Sequence, residues 1–305
     1  MTREEDPVTD MREYGTHNQP KGTWSDDSSM MLATLDSMVI NGGIRYEDIM
    51  ERFLSWKQGK AYTAHGRNFD IGITCSVAID RYAKGTDPLE CGGCDERSNG
   101  NGSLMRIMPV SLFYGMREDF WNEDVLDTAA ESVHNVSRLT HGHSRSMMAC
   151  MFYTAICHEL VYRGERSVMD AVQTAVDRMM EYYANACGKK NWCDEAFEKE
   201  IQANIYRRLR NLAGFKALSD NRIESSGYVV HTLEAAIWCL LNTDTYAECT
   251  LRAVNLGDDT DTVGAVAGGL AGLTYGYEGI PKDWLDVIAK AEWIDKLCVD
   301  LAKLM

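Results

Sequence analysis

The sequence has no run of basic residues, and its formal net charge is −15 at pH 7. A protein whose main partner is nucleic acid or an anionic membrane needs basic surface, because lysine and arginine must neutralise the phosphates. The composition therefore disfavours both partners. A local site for a small phosphate-bearing ligand needs only a few backbone N–H groups and stays open.

Long apolar segments are missing as well. The longest one, residues 263–275, is too short to span a bilayer, and the polar residues 1–10 show no signal-peptide pattern. The 10 cysteines are spread over 305 residues, and the one Cys-x-x-Cys pair, Cys91 and Cys94, has no convincing second pair to complete a zinc site. We therefore expect a cytoplasmic protein with reduced cysteines and no membrane partner.

Strict alternation of apolar and polar residues, the mark of half-buried strands, is hard to find anywhere. Apolar residues recur instead at the three- and four-residue spacing of helices packed on a core. With 45% hydrophobic residues and no internal repeat, the sequence predicts one compact all-α domain over residues 1–305. Two helices are predicted by their start alone, one after residue 24 and one near residue 69. Eight more are predicted over residues 46–56, 127–139, 147–162, 168–183, 197–212, 232–241, 246–255 and 284–301.

The most informative stretch is the acidic segment 257–262, which reads Gly-Asp-Asp-Thr-Asp-Thr. Carboxylates this close raise one another's pKa unless a cation lies between them, so a divalent metal is the natural counter-charge. An acidic N-cap on an ordinary core helix is the simpler alternative. An EF-hand is excluded, because with Asp259 at loop position 1 the fifth and twelfth ligands would be Val263 and Leu270, which have no side-chain oxygen.

Small residues follow the acidic segment. Gly264, Gly268 and Gly272 recur every four residues and so share one face of a helix. A glycine face allows a second backbone to approach closely. The sequence predicts that the acidic segment lies at the entry of a buried helix, where free N–H groups add positive potential.

A second acidic segment, residues 24–28, reads Trp-Ser-Asp-Asp-Ser and opens another apolar helical pattern. Ser25 or Asp26 is a ready N-cap, which by itself is the simpler explanation. Each segment, however, combines hydroxyls with paired carboxylates at a helix start. Together the two could supply about six oxygen ligands, enough for two hard cations.

Two weaker signals lie between the acidic segments. The turn-rich residues 98–103, Ser-Asn-Gly-Asn-Gly-Ser, could form a phosphate or ribose cradle or a plain turn. His141 and His143, after a predicted helix, could be metal ligands or acid–base groups, or could lie in a surface turn. The neighbouring His134 is expected to be solvated.

Jointly, segments 24–28, 100–106, 140–141 and 257–262 resemble the ADP-ribosylglycohydrolase family, which includes the enzyme that reverses dinitrogenase reductase modification. The order and rough spacing of the four motifs agree from about residue 7 to the C-terminus. The resemblance implies an all-α orthogonal bundle with a dinuclear Mg²⁺ or Mn²⁺ centre between the two acidic segments. Ser25 stands where members of the family more often have threonine.

The resemblance also assigns roles to single positions. It implies metal ligation by Ser25, Asp26, Asp27, Asp259, Asp261 and Thr262. It implies substrate binding by Asp70, Gly72, Ser98, Gly100, Asn101, Gly102, Ser103 and His141, with residues 98–103 holding the diphosphate and distal ribose. Asp26 or Asp27 is the expected general base or proton shuttle.

The expected activity is metal-dependent hydrolysis that removes ADP-ribose from a modified protein side chain or a small-molecule conjugate. One feature departs from the family pattern: relatives usually begin with a glycine-rich helix bearing Gly-Asp-x-x-Gly and a nearby glutamate, and residues 1–305 start after that point. A module that binds ADP-ribose without turnover is therefore one alternative. A two-metal phosphohydrolase is another, because carboxylate-bound metal pairs also serve phosphoryl transfer.

Overall fold

The computed structural model describes residues 6–186, 188–190 and 192–305. Over these residues the secondary structure is helical, without a strand, and the predicted all-α class is confirmed. The α-helices are α1 (Asp26–Asn41), α2 (Tyr46–Lys57), α3 (Ile73–Ala83), α4 (Met108–Gly115), α5 (Glu123–Arg138), α6 (Ser144–Val161), α7 (Val168–Ala186), α8 (Glu195–Ala203), α9 (Leu212–Lys216), α10 (Val229–Leu241), α11 (Tyr246–Leu256), α12 (Thr260–Tyr275), α13 (Lys282–Leu285) and α14 (Ala291–Ala302).

Helix α6 is the centre of the bundle. From Ser146 to Leu160 every residue is buried, as expected of a helix that is surrounded by others. Helices α4, α5, α7, α8, α10 and α12 all pack against it. The buried apolar residues form one cluster that extends from Met30 to Leu301. This continuity is what one domain requires, although the single domain stays a prediction.

Helices α1 and α12 contact each other, and each begins at an acidic segment. Helix α1 also packs on α2 and α14, and α12 on α10 and α11. No helix of the described residues is long and apolar enough to cross a membrane.

Three predicted helices have different limits in the structure. Residues 69–72 do not start a helix, because Asp70 has a left-handed φ of 52° and Gly72 is the N-cap of α3. The predicted helix 197–212 stops at Ala203, since Asn204 is left-handed with φ 51°. The predicted helix 284–301 is split into α13 and α14, and the connection docks on the N-terminal segment through a hydrogen bond from Ala289 N to Gly22 O (3.0 Å).

The glycine face of α12 packs against α11. A Cβ added to Gly264 or Gly268 would meet side-chain atoms of α11 at 3.3–3.4 Å. A Cβ at Gly272 would meet no atom within 4 Å. The tightest contact is at Gly269, where a Cβ would lie 2.3 Å from Tyr153 Oη. Gly269 therefore allows α12 to pack against the central helix.

Alanine should have opposite effects at Gly269 and Gly272. Gly269→Ala forces the buried Tyr153 to move, so we expect a loss of about 1–3 kcal/mol in the free energy of unfolding. Gly272→Ala adds a methyl group in open space and removes helical glycine, so we expect a gain of up to about 1 kcal/mol. Urea denaturation of both variants measures the difference; equal effects would contradict the packing described.

Candidate functional site

The N-terminal ends of α1 and α12 bring three carboxylates together. Asp26, Asp27 and Asp261 each offer one oxygen, and these oxygens all lie within 4.8 Å of one another. Asp26 and Asp27 are buried, at 7% and 3% exposure, and Asp261 is half-buried. We call these three residues, with Asp259, the acidic cluster.

The helix-capping alternative does not account for these side chains. Ser25 is the N-cap of α1 and Asp259 that of α12, yet neither side chain caps its own helix. The Ser25 hydroxyl donates instead to Asp27 Oδ2 (2.7 Å), and Asp259 Oδ2 accepts a hydrogen bond from Asn101 Nδ2 (2.8 Å). Capping therefore does not use either side chain.

Burial and mutual repulsion make the carboxylates hard to ionise. Burial, followed by the charges of Asp27, Asp70 and Asp261, raises the pKa of Asp26 well above its usual range. Burial and then Asp261 raise the pKa of Asp27 in the same way, and burial is the main cause that raises the pKa of Asp259. No lysine or arginine is among the main causes of these shifts.

The donor set fits a hard divalent cation. Asp27 Oδ1 is buried and has no hydrogen-bond partner among the described residues. An orphaned buried carboxylate oxygen is costly, and a cation would satisfy it. Carboxylate and hydroxyl oxygens are the ligands that Mg²⁺ and Mn²⁺ prefer.

A cleft of about 180 Å³ opens on one side of the acidic cluster. Nine of the residues predicted for the site line it: Asp26, Asp70, Gly72, Gly100, Asn101, Gly102, His141, Asp259 and Thr262. Ile73, Thr74, Cys75 and Met105 complete the lining. The cleft therefore brings together predicted metal ligands and predicted substrate-binding residues that are far apart in the sequence.

A second cavity, of about 410 Å³, lies on the other side of the cluster. Ser25, Asp27 and Asp261 line it together with the segment from Met11 to Trp24. Asp26 and Asp27, although adjacent in sequence, therefore face different cavities. Asp26 and Asp27 can therefore have different roles, because only Asp26 lines the cleft.

The segment predicted to bind phosphate, residues 98–103 (the phosphate loop), is held in place by backbone hydrogen bonds. Asn101 N donates to Gly227 O (3.0 Å), and Val229 N donates to Asn99 O (3.1 Å). Among the described residues, the N–H groups of Gly102 and Ser103 have no acceptor in this network. Of the two residues, Gly102 lines the cleft, so its N–H group is the one placed to meet a ligand.

Two predicted substrate residues turn their side chains away from the cleft. Ser103 is fully buried, and its hydroxyl accepts a hydrogen bond from Ser137 Oγ (2.9 Å). Ser98 Oγ donates to Asp95 Oδ2 (3.2 Å). Any contact of Ser103 with a ligand must come from its backbone.

The turn that contains His141 is buried, so the alternative of a surface turn is wrong. His141 Nδ1 lies 2.9 Å from Thr140 Oγ1, and a Cβ added to Gly102 would be 2.7 Å from the imidazole ring. Burial, and then the charge of Arg106, lowers the pKa of His141 to about 3. His134, expected to be solvated, is also buried, with Nε2 3.0 Å from Tyr183 Oη.

His17 is a site residue that the sequence did not indicate. Its Nε2 lies 3.2 Å from Asp70 Oδ2, and ligand atoms of His17, Asp70 and Asp261 lie within 4.8 Å of one another. His17 belongs to a polar, turn-rich segment without periodicity, which carries no local signal of function. Thr232 was missed for a different reason: it starts the predicted core helix 232–241, where a threonine carries no local signal of function, yet its Oγ1 accepts the second hydrogen bond from Asn101 Nδ2 (2.9 Å).

Known proteins are similar to this chain in sequence and in fold. The family described as ADP-ribosylglycohydrolase matches residues 1–305. The chain is 31% identical over 302 residues to the ADP-ribosylarginine hydrolase Tri1 of Serratia proteamaculans, with 99% of this chain and 73% of that relative covered. It is 31% identical over 287 residues to the ADP-ribosyl-(dinitrogen reductase) glycohydrolase of Rhodospirillum rubrum, with 90% and 79% covered. A solved structure titled "ADP-ribosylglycohydrolase-related protein complex" superposes with a TM-score of 0.71 at 30% identity, and covers 97% of this chain and 87% of that chain.

Proposed function

The chain belongs to the ADP-ribosylglycohydrolase family, and on that premise we propose that it removes ADP-ribose from modified arginine side chains with the help of a divalent metal centre. The choice of arginine rests on the relatives named ADP-ribosylarginine hydrolase, at 31% and 30% identity. Relatives named ADP-ribosylhydrolase ARH3 are more distant, at 25% identity or less. The observation that carries the proposal is the acidic cluster, which includes the orphaned Asp27 oxygen and places Asp26 and Asp259 in the lining of the cleft.

The metal would be held by Ser25, Asp26, Asp27, Asp259, Asp261 and Thr262. Cations at such a site supply Lewis acidity and neutralise the carboxylates. The Ser25 hydroxyl orients Asp27 through their 2.7 Å hydrogen bond, which leaves Asp27 Oδ1 as the free ligand atom. Asn101 orients Asp259 from the opposite side of the cleft.

Asp26 is the better candidate for the general base. It lines the cleft, whereas Asp27 faces the second cavity. Its place in the lining of the cleft puts Asp26 beside a bound ligand, which a general base requires. We therefore assign proton uptake to Asp26 and ligation alone to Asp27.

The diphosphate would be bound by dipoles rather than by cationic side chains. The N–H group of Gly102, which lines the cleft, would donate to a phosphate oxygen, and Gly100 lets a ligand approach the backbone. Backbone donors suit a chain with a net charge of −15, which offers no basic run for this purpose. The adjacent acidic cluster would stabilise positive charge that develops on the ribose ring when the bond breaks.

Release of ADP-ribose tests the proposal. We expect the protein to liberate intact ADP-ribose from an ADP-ribosylarginine peptide with Mg²⁺ or Mn²⁺ and not with EDTA, as followed by liquid chromatography. A serine-linked peptide should be cleaved more slowly. Binding of ADP-ribose without release would favour the non-catalytic module, and release of AMP or phosphate would favour a phosphohydrolase; either result overturns the proposal.

A further inference from the structure

Arg106 is a buried cation without a matching anion. It is fully buried between the phosphate loop and α5, and no carboxylate pairs with it in the described part of the chain. Burial lowers its pKa to about 10, so the guanidinium is still charged at neutral pH. An unpaired buried charge is costly to keep, which raises the question of what it does.

Three contacts account for the position of its guanidinium. Arg106 NH2 donates to Val136 O (3.0 Å) and to Thr140 Oγ1 (2.8 Å), and the group lies 4.8 Å from the centre of the Phe53 ring. Its Nε and NH1 have no partner among the described residues. The contact with Thr140 connects Arg106 to the cleft, because Thr140 Oγ1 is also 2.9 Å from His141 Nδ1.

The direction of these hydrogen bonds follows from chemistry. A guanidinium can only donate, so Thr140 Oγ1 accepts from Arg106. The threonine proton is then free to donate to His141 Nδ1, a stronger acceptor than the nearby sulfur of Cys75. The positive charge of Arg106 also favours an unprotonated Nδ1, because a cation attracts the lone pair of that nitrogen and repels an N–H group there.

We propose that Arg106 is a positioning residue that acts through Thr140 to hold His141 in the tautomer with its proton on Nε2. His141 Nε2 faces the glycines of the phosphate loop: a Cβ added to Gly100 would be 3.4 Å from it. The cleft thereby gains a neutral N–H donor beside Gly102. Such a donor fits a ligand oxygen that only accepts, such as a phosphate oxygen. The identity of that ligand as the diphosphate of ADP-ribose rests on the proposed function, but the tautomer does not.

The low pKa of His141 agrees with this arrangement. An imidazole that titrates at about pH 3 is neutral throughout the physiological range, so one of its nitrogens must lack a proton. Arg106 is the second cause of that low value, after burial. The same cation that keeps the ring neutral therefore selects which nitrogen carries the proton.

Nitrogen-15 NMR of the free protein, labelled at histidine, tests the tautomer directly. We expect His141 to show an unprotonated Nδ1 and a protonated Nε2, with the signals assigned by their loss in His141→Gln. His158 is an internal reference of the opposite kind, because its Nδ1 lies 2.9 Å from Gly115 O and must donate to it. A protonated Nδ1 in His141, or a mixture of tautomers, would overturn the proposal.

Variants of Thr140 test the relay. Thr140→Val removes the hydroxyl and should give mixed tautomers and weaken ADP-ribose binding by about tenfold to a hundredfold, the worth of one hydrogen bond to a charged group. Thr140→Ser should restore both properties. Thr34→Val is the matched control, since Thr34 is equally buried and bonds only to the backbone of its own helix (Met30 O, 2.9 Å).

Arg106 itself is tested by Arg106→Lys, which keeps a donor and a charge, and by Arg106→Met, which removes both. We expect the Nε2 tautomer to dominate in the lysine variant and to be lost in the methionine variant. If Arg106→Met does not fold, Thr140→Val still decides the question. If the tautomer is present but no ADP-ribose linkage is cleaved, the proposed function fails and this inference stands.

Discussion

Neutralising Asp261 should abolish the stabilisation that Mg²⁺ or Mn²⁺ gives to the wild-type protein. A cation that binds only the folded state at about 100 times its Kd raises the free energy of unfolding by about 2.7 kcal/mol. In Asp261→Asn the acidic cluster loses a charged ligand atom from the set that converges within 4.8 Å. Hydrolysis should fall by more than the ~100-fold that loss of an outer-shell partner costs.

Asp258→Asn is the matched control for Asp261→Asn. The chemical change is the same and the positions are three residues apart, but Asp258 is exposed and lies outside the acidic cluster. Asp258 has a left-handed φ of 51°, which asparagine also tolerates. We expect near wild-type activity and metal-induced stabilisation in this variant, as measured by thermal unfolding with Mg²⁺ and with EDTA. Equal losses in both variants would remove the acidic cluster from the proposed metal site.

Asp261→Asn should be more stable than the wild type when metal is absent. Folding raises the pKa values of Asp26 and Asp27 above the ordinary value of 3.8, so the folded state binds protons more tightly than the unfolded state. In EDTA, the stability of the wild type should therefore fall as the pH rises above about 4. Asp261→Asn removes a charge that raises both pKa values, and this decline should be shallower.

The features that could be predicted from the sequence are local ones. The starts of α1 and α12 follow from polar N-cap residues before apolar helical patterns, and the structure begins these helices at Asp26 and Thr260. The breaks in the predicted helices 197–212 and 284–301 could not be predicted in this way. They depend on left-handed Asn204 and Lys290 and on the docking of residue 289 against Gly22.

The contacts that join the parts of the site are long-range. Asn101 donates to Asp259 across 158 positions, and His17 meets Asp70 although no periodicity connects them. Arg106 belongs to one of the recognised motifs, but only its burial without a carboxylate draws attention to it. Local pattern therefore identifies the chemical groups, and packing decides which of them act together.

Because Asp26 and not Asp27 is proposed as the general base, replacing Asp26 should strongly reduce the rate of hydrolysis. Asp26→Asn should lower kcat by about 10²–10⁴-fold, the usual contribution of a general base. An asparagine retains one side-chain oxygen for ligation but cannot take up a proton. Asp261 belongs to both groups of convergent ligand atoms in the site and Asp26 to only one, so we expect Asp26→Asn to lose only part of the metal-induced rise in unfolding temperature. Single-turnover assays beside thermal unfolding with and without Mg²⁺ measure the two properties separately.

Asp70→Asn provides the comparison for Asp26→Asn, because Asp70 lines the same cleft and is more exposed. Its loss removes the partner of His17 and a charge that raises the pKa of Asp26, so the expected effect is on KM more than on kcat. If Asp26→Asn and Asp70→Asn reduce kcat equally, Asp26 is not the base. If Asp26→Asn loses metal-induced stabilisation as fully as Asp261→Asn, its role is ligation alone, and the base must be sought among the other polar groups of the cleft.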